Sequence, residues 1–371
     1  MKKLFLTLVL AVMGFTAAMA DDATTLVATL SHGGSLKAFY GADAFKSAYD
    51  EATDGDVITL SAGRFNTYDF LRKNITIRGL GAWPDANNAM TVLTRGGEVG
   101  FYIQDNDNEL TVEGIRFLDR VTVSVESGMT EGTCTFSKVY FLNGNSSYNS
   151  LGANKEVFLK LNNCATRYNC YIYQGACNNC AFGLYNGSYS SVSSSTSNTP
   201  ITFQNCVLRG WSSLTELTED VFTNCLIISN STSPLDATNL MTNCVGFYCG
   251  EVKNEADVDF FANVGNSTNK MVADRATFFK DESILIKDIT NGVVTSYTVF
   301  DDDLNADGTG LYELSDAAKQ IYKGNDGTVV GVWGGAYPFN LKTTNPRLTK
   351  CEIVPRVDSS GKLSVTIEVA Q

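Results

Sequence analysis

Ile201-Thr202-Phe203-Gln204-Asn205-Cys206-Val207-Leu208 is the stretch that decides the fold, because the chain keeps rewriting it. Aligned on Cys206, the same register recurs at Leu80, Ile115, Val139, Cys164, Cys180, Cys225 and Cys244. Three residues upstream of each stands an apolar side chain: Ile77, Val112, Phe136, Leu161, Cys177, Phe203, Phe222 and Met241. Asn precedes the last five, as Asn163, Asn179, Asn205, Asn224 and Asn243. Steps between units run from 16 to 35 residues and settle at 19 between Cys206, Cys225 and Cys244. Such an imperfect period signals a solenoid, in which stacked units bury one another's apolar faces.

The unit itself says which solenoid. Ile201 and Phe203 alternate with polar neighbours and share one face of a strand. Cys206 and Leu208 alternate too, but out of phase with the first pair. A continuous strand cannot slip phase without turning its core residues to solvent, so a corner at Gln204-Asn205 is required. Asn suits the corner because it tolerates left-handed backbone angles and its amide can bond along a stack of Asn. Cys, small and easily buried, then repeats as an interior column. Strand, bend and strand facing one interior predict a parallel β-helix.

Met1 to Ala20 reads as a secretory signal, with Lys2 and Lys3, an apolar run from Leu4 to Phe15, and Ala18-Met19-Ala20 as the cleavage site. No other stretch approaches membrane-spanning length. The formal charge is -12 over the whole chain, and loss of the two signal lysines makes it more negative. That balance argues against nucleic acid as a partner, and against acidic polysaccharides unless calcium or a local basic patch intervenes. Ten cysteines in a secreted chain invite a disulfide reading. Six of them fall in the two repeat columns, which favours buried thiols, with one or two disulfides left open among Cys170, Cys249 and their neighbours. Cys177 and Cys180 have metal-ligand spacing but no second pair and no nearby His, so they carry no zinc reading.

Residues 41–52 carry a helical stripe of Ala44, Phe45, Ala48, Tyr49 and Ala52, placed to cover the open end of the first circuit. GDVITLSAGRF (55–65), NITIRGLG (74–81) and LTVEGIRFLD (110–119) follow. Near the far end stand Gly310-Leu311-Tyr312-Glu313-Leu314-Ser315, Gly324-Asn325-Asp326-Gly327-Thr328 and Gly331-Val332-Trp333-Gly334-Gly335. From Gly41 to Phe339 the chain resembles bacterial members of the right-handed parallel β-helix, or pectin-lyase-like, superfamily. The resemblance implies an all-β, right-handed parallel β-helix solenoid with an N-terminal capping helix. It is weak for function, because the superfamily hosts lyases, hydrolases, epimerases, adhesins and inert spikes. The expected organisation is a signal peptide over 1–20, the β-helix domain over 21–340, and a C-terminal β-hairpin tail over 341–371. In that tail LTKCEIV and KLSVTIEV flank Asp358-Ser359-Ser360-Gly361. Residues 183–200 read as a Ser/Gly-rich loop between circuits, and Ser283–Ile289 and Val293–Phe300 as irregular late circuits.

The single histidine, His32, lies ahead of the repeats, which removes Ser-His and Cys-His nucleophile systems and multi-His metal sites. The resemblance implies for hydrolases a short motif with His between glycines, which this chain lacks, and for lyases carboxylates that hold calcium beside an Arg or Lys base. The lyase motifs are also absent, and the nearest raw material is Arg116, Asp119, Arg120 and Lys138. Alternation around Ile115 and Val139 turns Arg116 and Lys138 outward on adjacent circuits, as weak catalytic candidates. Asp303, Asn305 and Asp307, followed by Gly308, match the first half of a calcium loop, but Leu314 stands where the bidentate Glu is needed. Flat aromatic faces suit sugars, and Tyr140, Tyr168, Tyr171, Tyr173 and Tyr185 cluster among Asn residues, so a carbohydrate-binding surface is expected there. Three readings stay open. The first is a secreted or cell-surface protein that engages a polysaccharide or cell-surface glycan along the solenoid flank, with catalysis undecided. The others are a non-catalytic structural or adhesin protein, and a calcium-dependent polysaccharide lyase.

Overall fold

The structure, a computed structural model, describes residues 26–83, 90–105, 109–142, 149–184, 192–193, 199–210, 217–251, 258–264, 268–290, 293–299, 312–341, 347–353 and 365–370. The protein is nearly all β, and three long sheets hold most of its strands. From Val57–Leu60 onward the chain visits the first, second and third sheets in turn and then returns to the first. Each circuit lays its strands parallel to those of the circuit before. Past Val192–Ser193 no described strand joins the third sheet, and the series of circuits ends at Lys270–Met271 in the second.

Register fulfils the column read from the sequence. Ile77, Val112, Phe136, Leu161, Cys177, Phe203, Phe222 and Met241 are level with one another across the first sheet. None is more than 2% exposed, so burial of this column supplies much of the hydrophobic stabilisation. The corner between the first and second sheets is where the phase slips. Lys138, Asn163, Asn179, Asn205, Asn224 and Asn243 all have φ between 51° and 56° there, and Gly114 has φ 65°. Only this left-handed residue lets the strands on both sides face one interior.

Just past the corner, Cys164, Cys180, Cys206, Cys225 and Cys244 form the second column, each at most 1% exposed. Sulfur has a role that a valine could not fill. The Cys164, Cys180, Cys206 and Cys225 thiols donate to the carbonyls of Phe136, Leu161, Cys177 and Phe203, the inward residues of the preceding circuit, at 3.3–3.4 Å. The nine cysteines from Cys134 to Cys249 are free and buried, Cys170 and Cys249 among them, so the disulfide left open in that region is not formed. Leu80 is a correction. The excursion that ends at Met90 moves the next strand on, and Thr91, fully buried with its hydroxyl on the Ser61 carbonyl at 2.9 Å, fills the position expected of Leu80.

The asparagine amides do not form the expected ladder at the corner. They hold a strap, residues 324–341, that runs back against the order of the circuits. Asn224 exchanges two hydrogen bonds with Asn325, at 3.0 and 3.1 Å. Asn179 donates to the carbonyls of Val332 and Gly334 at 2.9 and 2.7 Å, and the Asn163 side-chain oxygen accepts from the Asn340 amide at 2.8 Å. Glycine is required where the strap passes closest: a Cβ on Gly335 would stand 2.3 Å from Asn205 Nδ2. Val330, Val332, Phe339 and Leu341 of the strap join a buried cluster with Ala165, Ala181, Val207 and Leu226, the outward column of the second sheet. Direct side-chain stacking occurs one residue earlier, where Asn178 donates to Asn162 at 3.1 Å.

At the N-terminal end the hairpin Val27–His32 and Ser35–Tyr40 adds antiparallel to the edge of the first sheet. Helix α1, Ala44–Glu51, buries Ala44, Phe45, Ala48 and Tyr49 against it. Leu285–Thr290 and Val293–Val299 pair with each other as an antiparallel hairpin, not as irregular late circuits. Arg347–Ile353 and Val365–Ala370 likewise pair antiparallel. Among the described residues no helix is long and apolar enough to cross a membrane.

The corner and the strap separate by mutation. Asn243→Ala should cost about 1 kcal/mol through its left-handed backbone alone, and Asn243→Gly close to nothing. Asn224→Ala, which also loses two bonds to the strap, should cost about 2–3 kcal/mol. Denaturant titration of the three variants checks this, and equal losses at Asn224 and Asn243 would remove the strap from the account.

Candidate functional site

The third sheet carries two exposed aromatic side chains, Phe70 and Tyr171. Its strands, Phe70–Leu71, Glu98–Ile103, Arg120–Val125, Asn149–Ala153, Asn169–Tyr171 and Val192–Ser193, all run parallel. Val99, Val121, Leu151 and Cys170 face inward and are fully buried. Alternation therefore turns the next residue of each strand outward. Phe70, Gly100, Thr122, Gly152 and Tyr171 form one level row across five strands. Four strand spacings make that row roughly 19 Å long.

The row has aromatic ends and a low middle. Phe70 is 51% exposed and Tyr171 37% exposed. Gly100 leaves room for the Phe70 ring, since a Cβ there would stand 2.8 Å from it, and Gly152 lies beside the Arg120 guanidinium. Tyr102 meets the Phe70 ring edge-on at 5.4 Å, and the Arg72 guanidinium lies 4.6 Å over the Tyr102 ring. The charges around the row come in pairs: Arg72 with Glu126 at 2.8 Å, Arg120 with Glu98 at 3.4 Å, and a two-pronged contact of Arg95 with Asp69. Thr122 donates to Glu98 at 3.0 Å, and Asp119 accepts from the backbone amides of Arg95 and Gly96. The face is thus aromatic at its ends and polar between, with its arginines paired to carboxylates. Chemically it can stack on a sugar ring and hydrogen-bond its hydroxyls.

The residues expected from sequence scatter. Tyr171 is in the row, and Tyr173 and Tyr168 follow and precede it, both half-buried. The backbone amide of Tyr168 donates to the Ser150 hydroxyl oxygen at 3.0 Å, and the Tyr168 ring lies 5.5 Å from the Arg167 guanidinium. Tyr140 does not offer a face to solvent. It is 1% exposed, packed against Trp83 with ring centres 5.4 Å apart and against Arg116. Tyr185 and the calcium candidates Asp303, Asn305 and Asp307 lie outside the described residues, as does the signal segment. Among the described residues no group of three or more His, Cys, Asp or Glu side chains is placed to hold a metal ion.

Arg116 and Lys138 stand on adjacent circuits, one in a strand and the other at the corner. Arg116 lies outward on the second sheet, level with Tyr140. Its guanidinium sits 5.4 Å from Trp83 and 5.2 Å from Tyr140, and burial, with Arg167 adding to it, lowers its pKa. Lys138 occupies the corner itself, its pKa lowered by burial and raised in part by Glu113. Neither faces a carboxylate cluster among the described residues, the arrangement that metal-assisted proton abstraction requires. A cleft of about 420 Å³ on the first sheet gathers Asp105, Glu109 and Glu131 around Lys160. There burial would raise the Glu109 pKa, but hydrogen bonds from Thr135 and Lys160 outweigh it and hold the carboxyl below its ordinary value.

The row across the third sheet was missed in the sequence. Its signal was a glycine between two apolar residues, Val99-Gly100-Phe101 and Leu151-Gly152-Ala153, at the same register of two strands. Comparison with known proteins returns no match to a protein-family model, a curated protein or a solved structure.

Lys138 gives a clean electrostatic test. Its charged form is penalised by burial, so that penalty is present at neutral pH and fades as pH rises through the lowered pKa toward the ordinary lysine value. Lys138→Asn removes the buried charge and suits the left-handed backbone, and should raise stability by about 1 kcal/mol at pH 7. Melting temperatures of both proteins across pH 7 to 10 should converge as pH rises, and a destabilised Asn variant would contradict the reading.

Proposed function

We propose that this chain is a secreted or cell-surface protein that binds a polysaccharide along the flank formed by its third sheet. The carrying observation is the level row of Phe70, Gly100, Thr122, Gly152 and Tyr171, with exposed aromatic rings at its ends and paired charges at its margins. A solenoid gives such a row for free, because alternate residues of parallel strands stay in register over many circuits. An extended glycan lying across the strands would meet one side chain per circuit.

The finer reading of the fold belongs to the same proposal. The cyclic visit to three parallel sheets supports a right-handed parallel β-helix of the pectin-lyase-like kind, with α1 and the N-terminal hairpin covering its first circuit. Residues 1–20 support export, and the free thiols suit an oxidising compartment only because they are enclosed. Burial pushes the Cys134, Cys177, Cys180 and Cys244 thiols well up in pKa, and it is the thiolate that reacts. The proposal is binding without cleavage at this face, because the arginines around the row are each paired with a carboxylate, and the cleft that gathers acids around Lys160 lies on the first sheet instead.

The test is retention of the mature protein on a panel of immobilised polysaccharides, with soluble oligosaccharides assayed for unsaturated products and new reducing ends. Wild type should be retained by at least one glycan with no product formed. Tyr171→Ala and Phe70→Ala should each weaken retention by about tenfold, the size of one lost stacking contact of roughly 1.5 kcal/mol. Product formation would make the protein an enzyme, and wild-type retention by both variants would move the site elsewhere.

A further inference from the structure

We propose that the outer face of the second sheet carries a separate anion site, formed by Arg64, Arg116 and Arg167, which takes the carboxylate or sulfate groups of an acidic glycan. This rests on the glycan-binding reading and names a class of ligand that the third-sheet row does not select.

Three observations converge on it. The first is placement. Arg64, Val92, Arg116 and Tyr140 are level across four strands of the second sheet, on its outward side. Arg167 directly follows Thr166, which is level with Phe141 one circuit beyond. Arg64 and Arg116 are therefore two strand spacings apart, roughly 9–10 Å. The strap that covers this sheet from Ala165 onward reaches the amide of Ala82 with the carbonyl of Leu341, beside Trp83. Arg64, at the other end of the row, is exposed.

The second is that Arg116 is held ready but unsatisfied. Trp83 and Tyr140 flank its guanidinium, and among the described residues Nη1 reaches the Met90 sulfur, at 3.7 Å. Nε is enclosed and meets no hydrogen-bond partner among the described residues. An enclosed guanidinium nitrogen without an acceptor is costly, and a second guanidinium nearby adds repulsion that an anion would relieve. By contrast Arg72, Arg78, Arg95 and Arg120 each pair with a carboxylate.

The third is charge distribution. Between Gly132 and Thr215 the chain has one acidic residue, Glu156, against Lys138, Lys155, Lys160, Arg167 and Arg209. The whole chain has 40 acidic and 28 basic residues. Of the three arginines Arg167 lies in this stretch, where Lys155 and Lys160 pair with Glu156 and Glu109, and the sparse acids there lower the repulsion a polyanion would meet. Planar guanidiniums at a fixed repeat suit bidentate contacts to carboxylate or sulfate groups along an extended chain.

The test uses the intact mature protein and calorimetric titration with four probes of similar length: a polygalacturonate oligomer, a chondroitin sulfate oligomer, a neutral glucan oligomer and duplex DNA. One acidic glycan should bind, more weakly as salt is raised, and Arg116→Gln should weaken it about tenfold, the loss of one charge-assisted contact. Arg64→Gln, at an exposed position, should weaken it in the same direction, so the test survives if the Arg116 variant misfolds. Neutral-glucan binding should be unchanged in both variants and about tenfold weaker in Tyr171→Ala. Acidic glycans that bind no better than neutral ones, or equally well to both Gln variants, would overturn the anion site and leave the third-sheet reading standing. DNA binding as tight as glycan binding would also overturn it, in favour of a surface without glycan preference. Failure of every glycan to bind would overturn both readings.

Discussion

Everything in this protein depends on one backbone torsion repeated at one place. A left-handed residue between the first and second sheets lets the strands on both sides turn their apolar residues to a common interior. L-residues adopt that region at a cost, which is why Asn and Gly supply most of the positions. The thiol column follows directly. A corner leaves backbone carbonyls pointing into the core, and a small apolar side chain with a weak donor can satisfy them where an aliphatic one cannot. The strap follows as well. Asparagine side chains that stand in line along a corner offer donors and acceptors at regular intervals, and a glycine-rich segment has settled on them.

The same register makes surface chemistry a matter of columns. In the second sheet the outward column is apolar from Ala165 to Val245, so it must be covered, and the strap covers it. In the first sheet the outward positions are largely polar: Thr76, Thr111, Thr135, Lys160 and Thr202 lie level. In the third, glycines at Gly100 and Gly152 lower the floor between exposed rings. One fold thereby displays three faces of different character. A ligand would be selected by which face it touches rather than by any single residue.

The period, the corner and the inward column were all legible in the sequence, because each circuit repeats them locally. What the sequence hid depended on distant partners. Tyr140 was rightly placed outward, but Trp83, on a different circuit, buries it. The strap reaches Asn179 from 153 residues away, so no local pattern announced that the asparagines would serve it. Leu80 was misplaced because spacing cannot show which side of an excursion re-enters the core, and Thr91 does so with its hydroxyl bonded. Leu285–Thr290 and Val293–Val299 read as irregular late circuits, because alternation alone does not show that two strands pair antiparallel with each other. The aromatic row was missed because its strands are short and unevenly spaced.

Oxidative footprinting of the mature protein, with and without a saturating oligosaccharide from the retained glycan, tests the central claim most directly. The account predicts that Phe70, Tyr102 and Tyr171 become protected together, while Tyr337, 80% exposed and remote from that row in the fold, does not change. Protection confined to the first sheet, or none at any of the three aromatics under saturating ligand, would contradict it.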